Sequence, residues 1–251
     1  MFGDVTPKVR DRVAGEVQSV GLHFGKEFKK YPLAAAIARV VLKDEALAKS
    51  HRPSKLFDDA QCPIVGVSSF GELLVSVRPA TLDDLEESIR TEATKEGIAN
   101  ISTIKTIEPF QIEPGQLAVL KKDLATARNK AVKIRLFRHH DPKTDNAVQA
   151  AFLAELERLR IEPTSLNYAS SVVVYKLEGV HPDHIAALAN FVGTQSLGSF
   201  PDYHIVRPAV QPVSRLSRAN CSRRRDRRSQ GSAPPPRPSP PQTLASDLAK
   251  A

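Results

Sequence analysis

The feature that most constrains this 251-residue chain is a break in its composition after Pro208. From Ala209 onward there are eight Arg, one Lys, two Asp, seven of the nineteen prolines, and no Phe, Tyr or Trp. Such a segment cannot bury enough apolar surface to offset the entropy of ordering it. Residues 209–251 are therefore expected to form a disordered Arg/Pro-rich tail, with polyproline character across APPPRPSPPQ. Whatever folds must be built from the 208 residues before it. The tail's charge is +7 of the chain's +8, so residues 1–208 carry about +1. The pI of about 9.6 then belongs to the tail, and it is no argument for a basic binding domain. Within the tail, Arg223, Arg224, Arg225, Arg227 and Arg228 are the candidate nucleic-acid contact, and PPPRP is a candidate ligand for a proline-recognition domain. A third reading is a stretch translated in an altered frame, since GC-rich codons out of frame yield Arg/Pro/Ser/Ala strings. The abruptness of the break favours that third reading.

The remaining composition excludes several classes. Hydrophobic residues make up 41% and charged residues 25%, ordinary globular values, and a chain of this length buries a core without staples. No window approaches the ~18–20 apolar residues needed to span a bilayer. The start, MFGDVTPKVRDRV, lacks the basic and apolar regions of a secretory signal. Cys62 and Cys221 are too few and too distant for a disulfide framework or a zinc site. A cytoplasmic protein with no membrane association and no cofactor is expected.

Along residues 1–208, short β-branched runs alternate with amphipathic stretches. Val9, Val13, Val17, Val20, Phe24 and Phe28 lay one apolar stripe on a helix from about Pro7 to Lys29, ended by Pro32. AIARVVL (36–42) and the run Leu73–Val77 read as strands. Thr81 is expected to cap a helix bearing Leu82, Leu85 and Ile89, with Gly97 at a helix C-cap. ISTIKTI (101–107) alternates like a strand. A helical connector spans residues 113–129. Val132, Ile134 and Leu136 alternate with Lys133 and Arg135, and a helix starting at Asp145 or Asn146 carries Val148, Phe152, Leu156 and Leu159. SVVVYKL (171–177) reads as a strand, Pro182–Phe191 as a short helix and Tyr203–Val206 as a final strand. This order predicts an α+β fold of two ferredoxin-like sandwich units. The expected layout is an N-terminal helix (1–30), a first unit (31–112), the connector (113–129), a second unit (130–208) and the tail.

Catalytic motifs are scarce. Neither GxxxxGK[ST] nor GxGxxG is present, and neither HExxH nor CxxC. His139, His140, Asp141 and Asp145 carry metal-ligating side chains, but adjacent residues on extended chain point apart, so a polar loop is preferred. His181 and His184 lie three apart at a helix start, where capping explains them. Asp83, Asp84, Glu86 and Glu87 fit solvated charges in the first turns of a helix. Ser68-Ser69-Phe70-Gly71 is no nucleophile elbow. Cys62, beside Pro63 and Ile64, reads as a small buried residue. The block ALAKSHRP (46–53) stands apart: Lys49, His51 and Arg52, following a buried strand and preceding Pro53, are the candidate anion or partner contact.

The strand leading into ALAKSHRP, then CPIVGVSSFGELLVSV and ISTIKTIEP, resembles the long N-terminal region of bacterial subtilisin-like serine peptidases (subtilases). KIRLFRHHD, AVQAAFLAELERLRI, SVVVYKLEG and LANFVGTQSLGSFPDYHIV continue the resemblance, which covers about Tyr31 to Pro208 in order. In that group this region precedes the catalytic domain. The resemblance implies a prodomain-like role, often ferredoxin-like in fold, that assists folding of the peptidase or blocks its active site. A subtilase carries an aspartate in D-[ST]-G, a histidine in HGT and a nucleophile in GTS. None of these occurs here, and Asp202 and His204 in PDYH do not reproduce their settings. No catalytic residue is therefore carried over. The expected function is the non-catalytic N-terminal region of a subtilisin-like serine endopeptidase, truncated or frame-shifted before a catalytic domain that is in cis or encoded downstream, and inactive alone. The alternative is an autonomous binding module acting through the tail on nucleic acid or a proline-recognition domain.

Overall fold

The computed structural model describes residues 2–49, 51–126, 131–169 and 172–200. Helix α1, Pro7–Lys30, starts where Pro7 sets the first helical φ and Thr6 Oγ1 accepts from Val9 N at 3.4 Å. Its stripe is buried as the spacing predicted, with Val13, Val17, Val20, Phe24 and Phe28 at 6% exposure or less. Each such side chain is worth about 1.5–3 kcal/mol relative to exposure.

The stripe lies on a four-stranded sheet built from β1 (Ala36–Leu42), β2 (Ile64–Ser69), β3 (Glu72–Val77) and β4 (Ile104–Pro109). The order is β2-β3-β1-β4, with every neighbouring pair antiparallel. Short helices α2 (Asp44–Ala48) and α3 (Ser54–Asp59) connect β1 to β2, and α4 (Pro79–Thr91) and α5 (Lys95–Thr103) connect β3 to β4. Because β4 is an edge strand, its outer backbone groups need partners. Helix α1 supplies two: Arg12 Nη1 donates to Lys105 O at 2.7 Å, and Glu16 Oε2 accepts from Ile107 N at 2.9 Å. Arg10 donates to Ile89 O and Glu92 O, both at 2.6 Å, covering carbonyls at the end of α4.

The arrangement recurs. Helix α6 (Pro114–Thr126) leads into β5 (Val132–Leu136), α7 (Pro142–Arg158), β6 (Pro163–Ala169), β7 (Val172–Leu177), α8 (His184–Asn190) and β8 (Thr194–Ser199). The second sheet has the order β6-β7-β5-β8, again all antiparallel. The chain is thus α+β, with two ferredoxin-like units, each preceded by a helix that packs near its last strand. The units have separate sheets.

They meet on the helix-free face of the first sheet. Ile37 and Leu74 from that face are buried with Phe137, which follows β5, and Phe110 meets Phe137 edge-on at 5.0 Å between ring centroids. A second junction runs from the end of α1 to α7. Glu155, 4% exposed, accepts from Tyr31 Oη at 2.8 Å and from Arg158 Nη2 at 2.6 Å, and pairs with Lys30. Burial pushes its carboxyl up, but the bonds from Arg158, Lys30 and Tyr31 outweigh that and hold it at about 2.

Several boundaries differ from the sequence expectation. Helix α4 begins at Pro79, not Thr81. Thr81 Oγ1 accepts from Arg78 N at 2.9 Å inside the first turn, so Asp83, Asp84, Glu86 and Glu87 fall beyond that turn. Gly97 does not end a helix; it sits in the first turn of α5, where its N–H donates to Thr94 Oγ1 at 3.0 Å. That cap starts a helix running through Ile101 to Thr103, so the expected strand begins only at Ile104. Helix α7 starts at Pro142 because Asp141 caps it, accepting from Lys143 N and Thr144 N. Strands β2, β6 and β8 and helices α2 and α3 are additional to the sequence reading. The expected strand at Tyr203–Val206, the tail and its arginines lie outside the described residues. Among the described residues no helix is long and apolar enough to cross a membrane.

Candidate functional site

Lys49, His51 and Arg52 follow α2 rather than β1 directly. Lys49 Nζ lies 5.5 Å from the Phe2 ring centroid, and the His51 ring is 5.4 Å from the same ring. His51 Nε2 donates to Asn100 Oδ1 at 3.0 Å, and Asn100 is buried. Arg52, exposed, donates to His51 O at 3.3 Å. Lys49 and His51 thus both lie against Phe2, and Arg52 stays exposed. Gly71, beside this crossover, has φ +87, and a Cβ there would sit 2.6 Å from Leu47 Cδ1. The positive φ favours glycine there, and any other side chain would also have to push the Leu47 side chain aside.

The other sequence candidates separate. His181 Nδ1 accepts from Asp183 N at 3.4 Å and lies 3.1 Å from Asp183 Oδ2, the start of α8 has no side-chain cap, and the His181 ring centroid is 6.1 Å from that of His184. Glu86 accepts from Gln18 and Arg90, while Asp83, Asp84 and Glu87 are exposed. Ser68 Oγ donates to Glu72 Oε2 at 2.5 Å. Cys62 is fully buried, its thiol pushed up to about 11 chiefly by burial, and Sγ donates to Thr81 O at 3.3 Å. A thiol held neutral in this way is a poor nucleophile. Among the described residues no group of three or more His, Cys, Asp or Glu is placed to hold a metal.

A further candidate lies where the units meet. A cleft of about 300 Å³ is lined from the first unit by Gln61, Pro63, Ser76 and Arg78, and from the second by His139, His140, Asp141 and Thr144. Strand β3 carries Ser76 on the sheet's outer face, opposite Ile37 in register, and the segment after β5 lays His139 against it. Ser76 Oγ and His139 Nδ1 are 3.0 Å apart, with Ser76 at 5% and His139 at 7% exposure. Asp145 fixes the loop: its Oδ1 accepts from His139 N at 3.0 Å, while Oδ2 accepts from Gln149 and pairs with Arg138. Burial holds the imidazole below the usual histidine value, against the pull of Asp145 and Asp141. Burial thus favours the neutral ring, and among the described residues its Nε2 is buried without a hydrogen-bond partner. Leaving such a group unmet costs about 1–3 kcal/mol.

A serine beside a histidine invites comparison with an acyl-transfer pair, and the geometry argues otherwise. A serine nucleophile needs a base whose far nitrogen is oriented by a carboxylate. Here Asp145 bonds the backbone of His139 and not its ring, and the hydroxyl is buried within a strand. Sequence reasoning singled out His139 but treated it as part of a polar loop, and it passed over Ser76 and Arg78 altogether. Ser76 carried one signal, a polar residue inside the apolar run LLVSV. Comparison of the chain with family models, with curated proteins and with solved structures finds no match.

Proposed function

We propose that this chain is a non-catalytic, prodomain-like or regulatory region that serves a subtilisin-like serine endopeptidase domain supplied in cis or encoded downstream. The supporting observation is the pair of ferredoxin-like units laid over the stretch, Tyr31 onward, that resembles the N-terminal region of subtilases. A fold by itself hosts many functions, so the reading rests on fold and motif order together. The buried Ser76–His139 pair is consistent with it, since the ring lacks the carboxylate that a nucleophile's base requires.

Three tests bear on this. The purified chain, incubated with casein and a fluorophosphonate probe, is expected to give neither cleavage nor labelling; either result would remove the non-catalytic reading. Added to a subtilisin-like peptidase, the chain is expected to slow peptide hydrolysis or to raise the yield of refolded enzyme. Genomic sequence downstream, read in the other two frames, is expected to contain Asp-Ser/Thr-Gly, His-Gly-Thr and Gly-Thr-Ser blocks. Absence of those blocks, together with no effect on the peptidase, would sink the assignment.

A further inference from the structure

We propose that the cleft between the two units is a binding site for a carboxylate, held by the Arg78 guanidinium and the Nε2–H of His139. The inference stands apart from the peptidase reading. It starts from a proton. Among the described residues the Ser76 hydroxyl meets one partner, His139 Nδ1 at 3.0 Å; the serine is taken as donor and Nδ1 as acceptor, the one arrangement in which the buried hydroxyl proton has an acceptor. In a neutral imidazole the remaining proton then sits on Nε2. That N–H is buried, lacks a partner and belongs to a residue only 7% exposed that lines the cleft. A buried donor facing no acceptor is costly, and a ligand oxygen would satisfy it.

Arg78 supplies the charge. It lines the same cleft, half-buried, and among the described residues its guanidinium has neither an ion-pair nor a hydrogen-bond partner; only its backbone is engaged, with Thr81. A planar fork of donors matches the two oxygens of a carboxylate. Asp141 also lines the cleft, its carboxylate accepting from Lys143 N, Thr144 N and Thr144 Oγ1, and it disfavours more highly charged anions. One fixed cation beside one fixed anion accommodates a monoanion better than a phosphate dianion. The volume, about 300 Å³, has room for a small organic acid or the terminal residue of a peptide. Because the donors come from different units, a bound carboxylate would bridge them.

The test uses the full chain with nitrogen-15 label, observing the His139 imidazole resonances. The probes are N-acetyl-alanine, its amide N-acetyl-alaninamide, tetra-alanine with a free C-terminus, and inorganic phosphate. N-acetyl-alanine is expected to shift the Nε2 resonance saturably at millimolar concentration, and the amide and phosphate are not. Tetra-alanine binding more tightly than N-acetyl-alanine identifies a peptide C-terminus as the source of the carboxylate; equal or weaker binding identifies a free small acid. Arg78→Gln is expected to weaken binding by about tenfold or more while leaving the thermal midpoint unchanged, since the side chain has no partner in the described fold. Arg78→Lys, which keeps the charge and loses the fork, is expected to fall between. A cleft that holds only water gives no saturable shift and overturns the proposal. So does an equal response to the amide or to phosphate, or unchanged affinity in Arg78→Gln.

Discussion

The two units share strand order and differ in what covers their sheets. In the first, the helix-side residues of β1 are all buried in the main core, and on the other face Phe137 from the second unit buries Ile37 and Leu74 while Arg39 and Val41 stay half-buried. In the second, β5 alternates strictly, with Val132, Ile134 and Leu136 buried and Lys133 and Arg135 exposed. The leading helices differ likewise: α1 buries six residues over 24, α6 only Leu120 and Leu124 over 13. One topology thus supports a sheet partly covered on its second face and a sheet with one polar face. The second unit covers part of the first unit's outer face, where Phe137 joins Ile37 and Leu74 in a small buried cluster. This asymmetry places the orphaned His139 on the shared surface.

The comparison can be broken most severely through the second unit's centre. Phe152, fully buried, packs against Tyr175 and Phe191 with ring centroids 5.1 and 5.3 Å away. Phe152→Ala is expected to cost about 3–5 kcal/mol, measured by urea denaturation. If the units fold as one body, a single transition moves; two separated transitions would show that the first unit stands without the second. Phe137→Ala removes the cover from Ile37 and Leu74 and is expected to cost about 3 kcal/mol. Hydrogen exchange should then quicken in β1 and β3 before β6 and β7, and uniform acceleration would contradict the idea that Phe137 covers part of the first unit's sheet.

Glu155 tests the other junction, by acid. Its carboxyl is held at about 2 against an ordinary 4.5, so its contribution is present above pH 4.5 and is lost as pH falls from there toward 2. Lys30 and Arg158 are partly exposed, which screens the interaction, and Glu155→Gln is expected to cost about 1–2 kcal/mol at pH 7. The variant's stability should vary less than the parent's between pH 4.5 and 2; an identical pH profile would show that the junction does not rely on this charge. The smallest effect is expected on the open face. Lys133→Thr or Arg135→Thr should change stability by no more than about 0.5 kcal/mol, and a larger loss would reveal a covered surface there.

Much of the fold was legible because burial leaves a period. The stripe of α1, the run of β1 and the alternation of β5 each report which faces are covered. The junction in ISTIKTI was misread because alternation and helical spacing coincide over so few residues, and the Thr94 cap decided for helix through Thr103. The start of α7 was announced by Asp141-Pro142, a cap followed by a proline at the first helical position, a signal outweighed by the apolar stripe beginning at Val148. The block Lys49, His51 and Arg52 showed its charges in the sequence, but its partners, Phe2 and Asn100, are distant in the chain.

What the amino-acid order determined alone was local: where chain can bury apolar surface, which period each stretch follows, and that the last 43 residues have a composition unlike the rest. The pairing of Ser76 with His139, 63 residues apart, was decided only when one unit's loop settled on the other's sheet. Hydrophobic periodicity records whether a face is buried, but not by what. A polar contact between distant residues carries no period, and it exists only once both backbones are held in place by the packing around them.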